Sequence, residues 1–458
     1  MARRSNDTDM TAGPIGRHIV RFALPLMLGL LFQQLYNTVD TVVVGQFVGK
    51  EALAAVGSTS SIINMLVGLC AGLSAGASVV ISQSYGAHDA KKLSLAVHTT
   101  VTVTFLLALV ATFAGMLIVR PMLRLMDTPQ DVLPVAATYL TIYFAGIGGL
   151  LVYNMGSAIL RAVGDSRRPL YFLCVSATLN IVFDLLFVVA FGWGVEGVAF
   201  ATVVAQALSA ALVLWVLSRD RAAYGLRWRK LGLDRPALHR IFALGLPASV
   251  QQGLTSFSNV FVQSYINFFG SACMAGWSSY NKLDSLILVP IQAIGLASTT
   301  FVGQNYGARQ LPRARRGVRR AIALSASVAL GLTAVVMILA RPLVSLFSNE
   351  EEVIAFGVYF VRLVSPFYAA MCFNQIFAGA LRGIGKAKVP MVVMLFSFVA
   401  FRQGYLFAVR QLGNSLTMVA MAYPFGWILC SVLLYVCFRR SLLCHAPAQP
   451  LRDTAADS

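Results

Sequence analysis

Asp40, Asp184 and Asp284 each interrupt a long apolar run. An Asp near the centre of a bilayer costs about 2.5–3.5 kcal/mol on insertion scales, so such a residue defaults to a functional role. Asn180 precedes Asp184 by four positions, which puts the two on one helical face about one turn apart. At about 1.5 Å per residue from the nearer span ends, Asp40, Asp184 and the hydroxyl of Thr202 share a layer roughly 10 Å below the outer surface. Two carboxylates brought together in such a layer repel, and one proton relieves both the repulsion and the cost of burial. Carboxylate, amide and hydroxyl oxygens also suit a hard cation such as Na+ at Asp40, Asn180, Asp184 and Thr202. Reversible cation coupling is the chemistry on offer; a polar cluster that only ties helices together is the bland alternative.

Asp284 has Lys282 two positions away, and a helix turns such neighbours in different directions. An ion pair with Arg402 from another helix is the expected arrangement, with a second coupling role as the alternative. Pro25 interrupts the first apolar span, removes a backbone hydrogen bond and permits a hinge; Pro247 is its counterpart in the second half. Gly72-Leu73-Ser74-Ala75-Gly76 matches the G-x-S-x-G nucleophile elbow, but the elbow needs a strand-to-helix turn and this stretch lies inside a long helical pattern. The 7 cysteines are scattered and mostly within spans, and the 5 histidines lack metal-ligand spacing. Neither an enzyme nor a protein with a metal or an organic cofactor is expected.

The elements that must position these residues come in two copies. Gln83, Tyr85, Gly86 and Ala87 recur as Gln304, Tyr306, Gly307 and Ala308, and Arg161, Gly164 and Pro169 recur as Arg382, Gly385 and Pro390. The displacement is about 221 positions throughout, far longer than a solenoid repeat. Hydrophobic residues make up 58% of the chain and charged ones 12%, and the mean hydropathy is +0.74, which places the protein in lipid. Six apolar spans precede residue 218 and six follow residue 240. The expected fold is therefore all-α and polytopic, with twelve transmembrane helices in two pseudo-symmetric six-helix bundles. Even numbers of crossings make the halves parallel, and such proteins usually hold their substrate between the halves and work by rocking one against the other. The lobes are read as 1–218, carrying the cation site, and 241–440. A basic linker at 219–240 mixes arginines with Tyr224 and Trp228, and a tail covers 441–458. Counting forward by the repeat, Asp184 falls on Tyr405, Asn180 on Phe401, Thr202 on Tyr423 and Asp40 near Phe261, so the second half lacks the cluster.

Basic residues crowd alternate loops, which sets both termini in the cytoplasm by the positive-inside rule. The net charge of +18 is spread over these short loops, so topology rather than nucleic acid accounts for it. No removable signal peptide is read at the start. The lipid bilayer is the expected surrounding, the inner membrane the expected site, and a monomer the expected state.

These features resemble the multidrug and toxic compound extrusion (MATE) transporters over nearly the whole chain. The paired Q-x-Y-G-A turns carry the likeness, with Leu160–Asp165 (L-R-A-V-G-D) and Leu381–Lys386 (L-R-G-I-G-K). Asp40 in Tyr36-Asn37-Thr38-Val39-Asp40, with Asn180, Asp184 and Thr202, looks like the amino-terminal cation site of the prokaryotic DinF-like branch. The resemblance implies a V-shaped pair of bundles that alternates between inward and outward openings and exports amphipathic, often cationic drugs in exchange for H+ or Na+. It implies that protonation at Asp40 and Asp184 bends the first span near Pro25. It also implies a substrate cavity touching Tyr36, Asn37, Tyr139 and Asn154, with Asp284 as a further candidate. The second lobe lacks the acids on which sodium-coupled NorM-like members rely, which favours H+. Na+-coupled efflux and a flippase of lipid-linked precursors are the alternatives, the latter disfavoured because only Lys282, Arg362 and Arg402 lie within spans.

Overall fold

The computed structural model describes residues 9–48, 50–126, 128–130, 132–413 and 415–445. The part of the expected 441–458 tail beyond residue 445 lies outside them. The apolar runs are helical throughout, and among the described residues there is no strand. The first half runs α1 (Ile15–Val43), α2 (Lys50–Gly86), α3 (Ala90–Leu125), α4 (Leu133–Ala145), α5 (Ile147–Ala162), α6 (Arg167–Asp184) and α7 (Gly194–Arg219). The second half begins with α8 (Arg235–Asn267), α9 (Ser271–Gly307), α10 (Leu311–Ile338) and its short extension α11 (Ala340–Ser345). It continues with α12 (Glu351–Val364), α13 (Tyr368–Gly383), α14 (Lys388–Leu395), α15 (Arg402–Gln411), α16 (Leu416–Arg439) and the single turn α17 (Leu442–His445).

Among the described residues ten rods are long and apolar enough to cross a membrane, and the α4–α5 pair, bent by 47°, makes an eleventh. The bend falls at Gly146, where any Cβ would collide with Val203 of α7, so close packing demands glycine there. The twelfth rod is α8, with 33 residues. It falls short in hydropathy because polar side chains along it, including Gln251, Ser258 and Asn259, bond to other helices instead of facing lipid. Burial is inside out relative to a soluble protein. Asp184 is 0% exposed, whereas Leu117 and Ile338 are 78% and 79% exposed, as a lipid-facing belt requires.

The opening helices of the two halves cross over. Ile19, Phe22, Ala23 and Leu26 of α1 pack in the core of the second half, while Ile241 and Leu244 of α8 pack in that of the first. The α2–α8 contact is the most extensive in the molecule, because Gly72 and Gly76 bring α2 against the backbone at Ser249 and Gly245. Small residues drive close helix approach in membranes, and that is the use of the G-x-S-x-G run; the Ser74 hydroxyl donates back to the Cys70 carbonyl at 2.8 Å.

The lobes meet at the end that carries the Q-x-Y-G-A turns, which gives the molecule a V shape. There the repeat becomes a reciprocal bond. Gln83 Nε2 donates to the Gly383 carbonyl at 2.7 Å, and Gln304 Nε2 donates to the Ala162 carbonyl at 2.9 Å. Ala162 and Gly383 are themselves repeat equivalents, so each lobe's glutamine binds the same place on the other lobe. The chain turns sharply just after, with His88 at φ 54° and Arg309 at φ 59°.

The linker is strapped to the first lobe. His98 Nε2 accepts the Arg227 N–H at 3.0 Å, Thr99 Oγ1 accepts that of Asp234 at 3.0 Å, and Thr102 Oγ1 that of Gly232 at 3.1 Å. Tyr224 is buried and donates to Asp220 at 2.9 Å, whereas Trp228 is 52% exposed, as an interfacial ring would be.

Candidate functional site

Between α1, α2, α5, α6 and α7 the first lobe, with Leu296 of α9 on one wall, forms a partly open cavity of about 310 Å³. Pro25, Tyr36, Asn154, Asn180 and Thr202, all singled out from the sequence, line it. Leucines from four helices form its flanks, and Arg161 and Ser166 close the end nearest the turns.

Asp40 and Asp184 sit just beyond the far end of this cavity, where α1 packs on α6, and their side chains interact directly. Two carboxylates have no hydrogen to share unless one is protonated. Accordingly both Asp184 oxygens and Oδ1 of Asp40 are buried without a donor, and the Asn180 side chain beside them has neither an acceptor for its Nδ2 nor a donor for its Oδ1. Buried polar atoms are almost always satisfied, so a concentration of orphans one helical turn apart marks a place that gains from an added proton or cation. Thr202 contributes less, since its hydroxyl donates to the Val198 carbonyl at 3.0 Å, but its oxygen keeps acceptor capacity toward the cavity.

The backbone is widened beside both acids. The π-helical segment Val44–Val48 begins within a turn of Asp40, and Leu185–Ala190 begins directly after Asp184. Such bulges are frequent at functional sites because they re-aim side chains and loosen the helix. Tyr139, expected in the cavity, is not among its lining residues; it is buried, interacts electrostatically with the pair and stacks on Tyr143 with ring centroids 6.5 Å apart.

Three other sequence expectations are corrected. Asn37 does not line the cavity and is exposed, because it lies about 100° around the helix from Tyr36. Asp284 belongs to the other lobe and does not line the cavity either. It also does not pair with Arg402. Tyr280 donates to its carboxyl at 3.2 Å and Tyr368 donates to the same oxygen. Arg402 instead donates to Asn259 at 2.7 Å and lies over the Tyr423 ring at 4.6 Å. The Tyr423 hydroxyl interacts electrostatically with both charges. The repeat positions of the cation site carry aromatics, with Phe401 stacked on Tyr405 at 6.3 Å and Tyr405 donating to the Met418 carbonyl at 3.0 Å.

Sequence reasoning missed Gln206 and Arg161. Gln206 follows Thr202 by four positions on α7 and presents an unpartnered Oε1 in the cavity wall. That spacing was the available signal. Arg161 had been counted with the loop cations, yet α5 runs to Ala162 and carries Arg161 inside the lobe.

The MatE family profile matches residues 25–186 and 247–402, the corresponding parts of the two halves. The probable multidrug resistance protein YoeA of Bacillus subtilis is 30% identical, over 92% of this chain and 93% of its own. The FAD transporter of Shewanella oneidensis is 24% identical, over 98% of both chains. A solved structure of MATE in the bent conformation superposes with a TM-score of 0.88 at 25% identity, covering 94% of this chain and 96% of that one. With the profile spanning most of both lobes and the V-shaped helical fold in place, the chain belongs to the MatE family of multi-pass membrane transporters.

Proposed function

We propose that this transporter exports amphipathic small molecules, organic cations among them, in exchange for H+ by alternating access. The observation that carries the reading is the pair of carboxylates, buried Asp184 and half-buried Asp40, that meet without a donor at the end of the cavity. Protonation supplies the missing hydrogen and removes the repulsion, so the proton and an amine-bearing cargo compete for one negative layer. Antiport requires only that ion and cargo prefer different states. Pro25 and the two widened helical segments supply the flexible backbone through which protonation alters α1 and the cavity it lines. The names of relatives support the cargo class: YoeA and YpnP of Bacillus subtilis are described as probable multidrug resistance proteins.

The basic loops set the turn end and both termini in the cytoplasm, so the joined turns correspond to a closed inner side and an outward opening. In this reading the protein is a DinF-like monomer of the inner membrane. The Asn180 and Thr202 oxygens beside the acids favour Na+ as the runner-up ion.

The test is uptake of a fluorescent organic cation into proteoliposomes with an acid lumen, a sodium-loaded lumen or neither. Uptake driven by the proton gradient and lost in Asp40→Asn is expected. Uptake driven by sodium alone would move the coupling ion, and wild-type uptake by Asp40→Asn would remove the acid pair from the mechanism.

A further inference from the structure

Arg161 is the only charged residue among those lining the first-lobe cavity. No hydrogen bond or ion pair joins its guanidinium to a described residue. Asp165, the nearest acid in sequence, is committed elsewhere: it pairs with Arg168 Nε at 3.2 Å and accepts the Arg167 and Arg168 N–H groups at 3.0 and 3.1 Å. The Tyr153 hydroxyl beside it is turned to the Pro169 carbonyl at 3.2 Å. The repeat equivalent, Arg382, lines no such cavity, and its guanidinium donates to Gln251 Oε1 at 3.4 Å. A purely architectural arginine would be housed alike in both lobes. The first lobe instead leaves a half-buried cation facing the cavity with no acid to neutralise it, an arrangement that favours an incoming anion.

We propose that Arg161 is the anchor for the anionic group of the cargo, so that this cavity selects small amphiphiles bearing one carboxylate or phosphate at one end of an apolar body. A guanidinium presents a planar fork that fits either group in bidentate fashion, and burial strengthens the bond. The middle of the cavity is apolar, with Leu26, Leu30, Leu170 and Leu173 on its walls. Along α6 it runs from Ser166 to Asn180, about 21 Å at 1.5 Å per residue. The far end meets Asn180 and the acid layer, which accept donors. A zwitterion with its acid at Arg161 and its amine toward Asp184 satisfies both ends. A volume of about 310 Å³ suits a small single-bodied amphiphile better than a two-chain phospholipid.

This inference rests on the cavity being the cargo site, and one experiment separates the two. Binding of dansyl-lysine, its methyl ester, dansylglycine and dansylcadaverine to the purified full-length protein is followed by dansyl fluorescence, with Ala177→Trp as a cavity-filling variant. The wild type is expected to bind dansyl-lysine at least tenfold more tightly than the ester, which lacks only the acid. Arg161→Gln should remove that preference and weaken dansylglycine tenfold or more, while dansylcadaverine changes less than threefold; Arg161→Lys should retain most of the preference. The ester comparison needs no variant, so it stands even where Arg161→Gln fails to fold. Binding of all four probes that Ala177→Trp blocks, with acid and ester equal, overturns the inference alone. Binding of none of them, or binding indifferent to Ala177→Trp, overturns the cavity reading and the inference together.

Discussion

The two intramembrane acids of the separate lobes show how partners decide what a carboxylate does. Asp284 receives two tyrosine hydroxyls, which satisfy a charge in place and give it an architectural role. Asp184 is fully buried, faces Asp40 and has no donor on either oxygen. Replacing Asp184 by Asn should therefore stabilise the protein, since the amide donates to Asp40 and one of two repelling charges is gone. A gain of about 1–3 kcal/mol is expected at alkaline pH, where the pair is ionised, shrinking as the pH falls and a proton bridges it, read as a higher Tm, together with at least a tenfold loss of proton-driven uptake. A lower Tm would mean that the acid pair is held by contacts other than those between the two carboxyls. Tyr368→Phe should do the reverse in the other lobe. Removing one donor from a buried carboxylate costs about 1–3 kcal/mol of stability, while the dependence of uptake on the proton gradient is kept. Changed proton coupling in Tyr368→Phe would give Asp284 a share in the ion path.

At the scale of elements, length and hydropathy made the rods legible, because a span of apolar residues in lipid has little choice but helix. The acid layer was legible for the same reason: an Asp inside a span stands out, and helical spacing tied Asn180 to Asp184. What the sequence did not carry is which helix packs on which. The crossing of α1 and α8 into the opposite lobes, the tyrosines around Asp284, and the inward position of Arg161 all follow from tertiary packing that one chain's periodicity does not encode. The linker is a similar case, since its arginines and Trp228 spoke for the membrane surface while its attachment depends on His98 within α3. His98 Nδ1 bonds to the Ser94 carbonyl at 2.7 Å, which leaves Nε2 free to accept from Arg227. His98→Ala removes that acceptor and should cost about 1 kcal/mol locally. Limited proteolysis should then cut between Arg219 and Arg235 several-fold faster than in wild type, with uptake little changed. An unchanged cleavage rate would assign the docking to Thr99 and Thr102 instead.

For the whole molecule, the repeat matters most where it closes on itself. Gln83 and Gln304 each reach across the lobe boundary to the carbonyl at the end of the other lobe's fourth span, Gly383 at the end of α13 and Ala162 at the end of α5. Each glutamine is also held from its own side: Arg240 donates to Gln83 Oε1 at 2.6 Å, and the Met10 N–H donates to Gln304 Oε1 at 3.0 Å. Both donors come from the crossing segments, so the contact ties α1 and α8 to the state of the lobes. The glycines of the same turns allow it, because a Cβ on Gly86 or Gly307 would collide with the backbone at Gln304 or Gln83. Opening the turn end must break both glutamine bonds together, which makes the pair a two-sided latch. Losing both side chains should remove about 2–4 kcal/mol from the closed arrangement, a shift of roughly thirty- to a thousand-fold between closed and open ends. Spin labels at Lys91 and Arg316, in a background without the native cysteines, would read this as a second, longer distance in Gln83→Ala/Gln304→Ala. Gln83→Ala alone should shift the population further than Gln304→Ala alone, since only Gln83 is held by a charged donor. If the double variant keeps the wild-type distance distribution, the lobes are held closed by the glycine-lined α2–α8 contact, and the glutamines only decorate it.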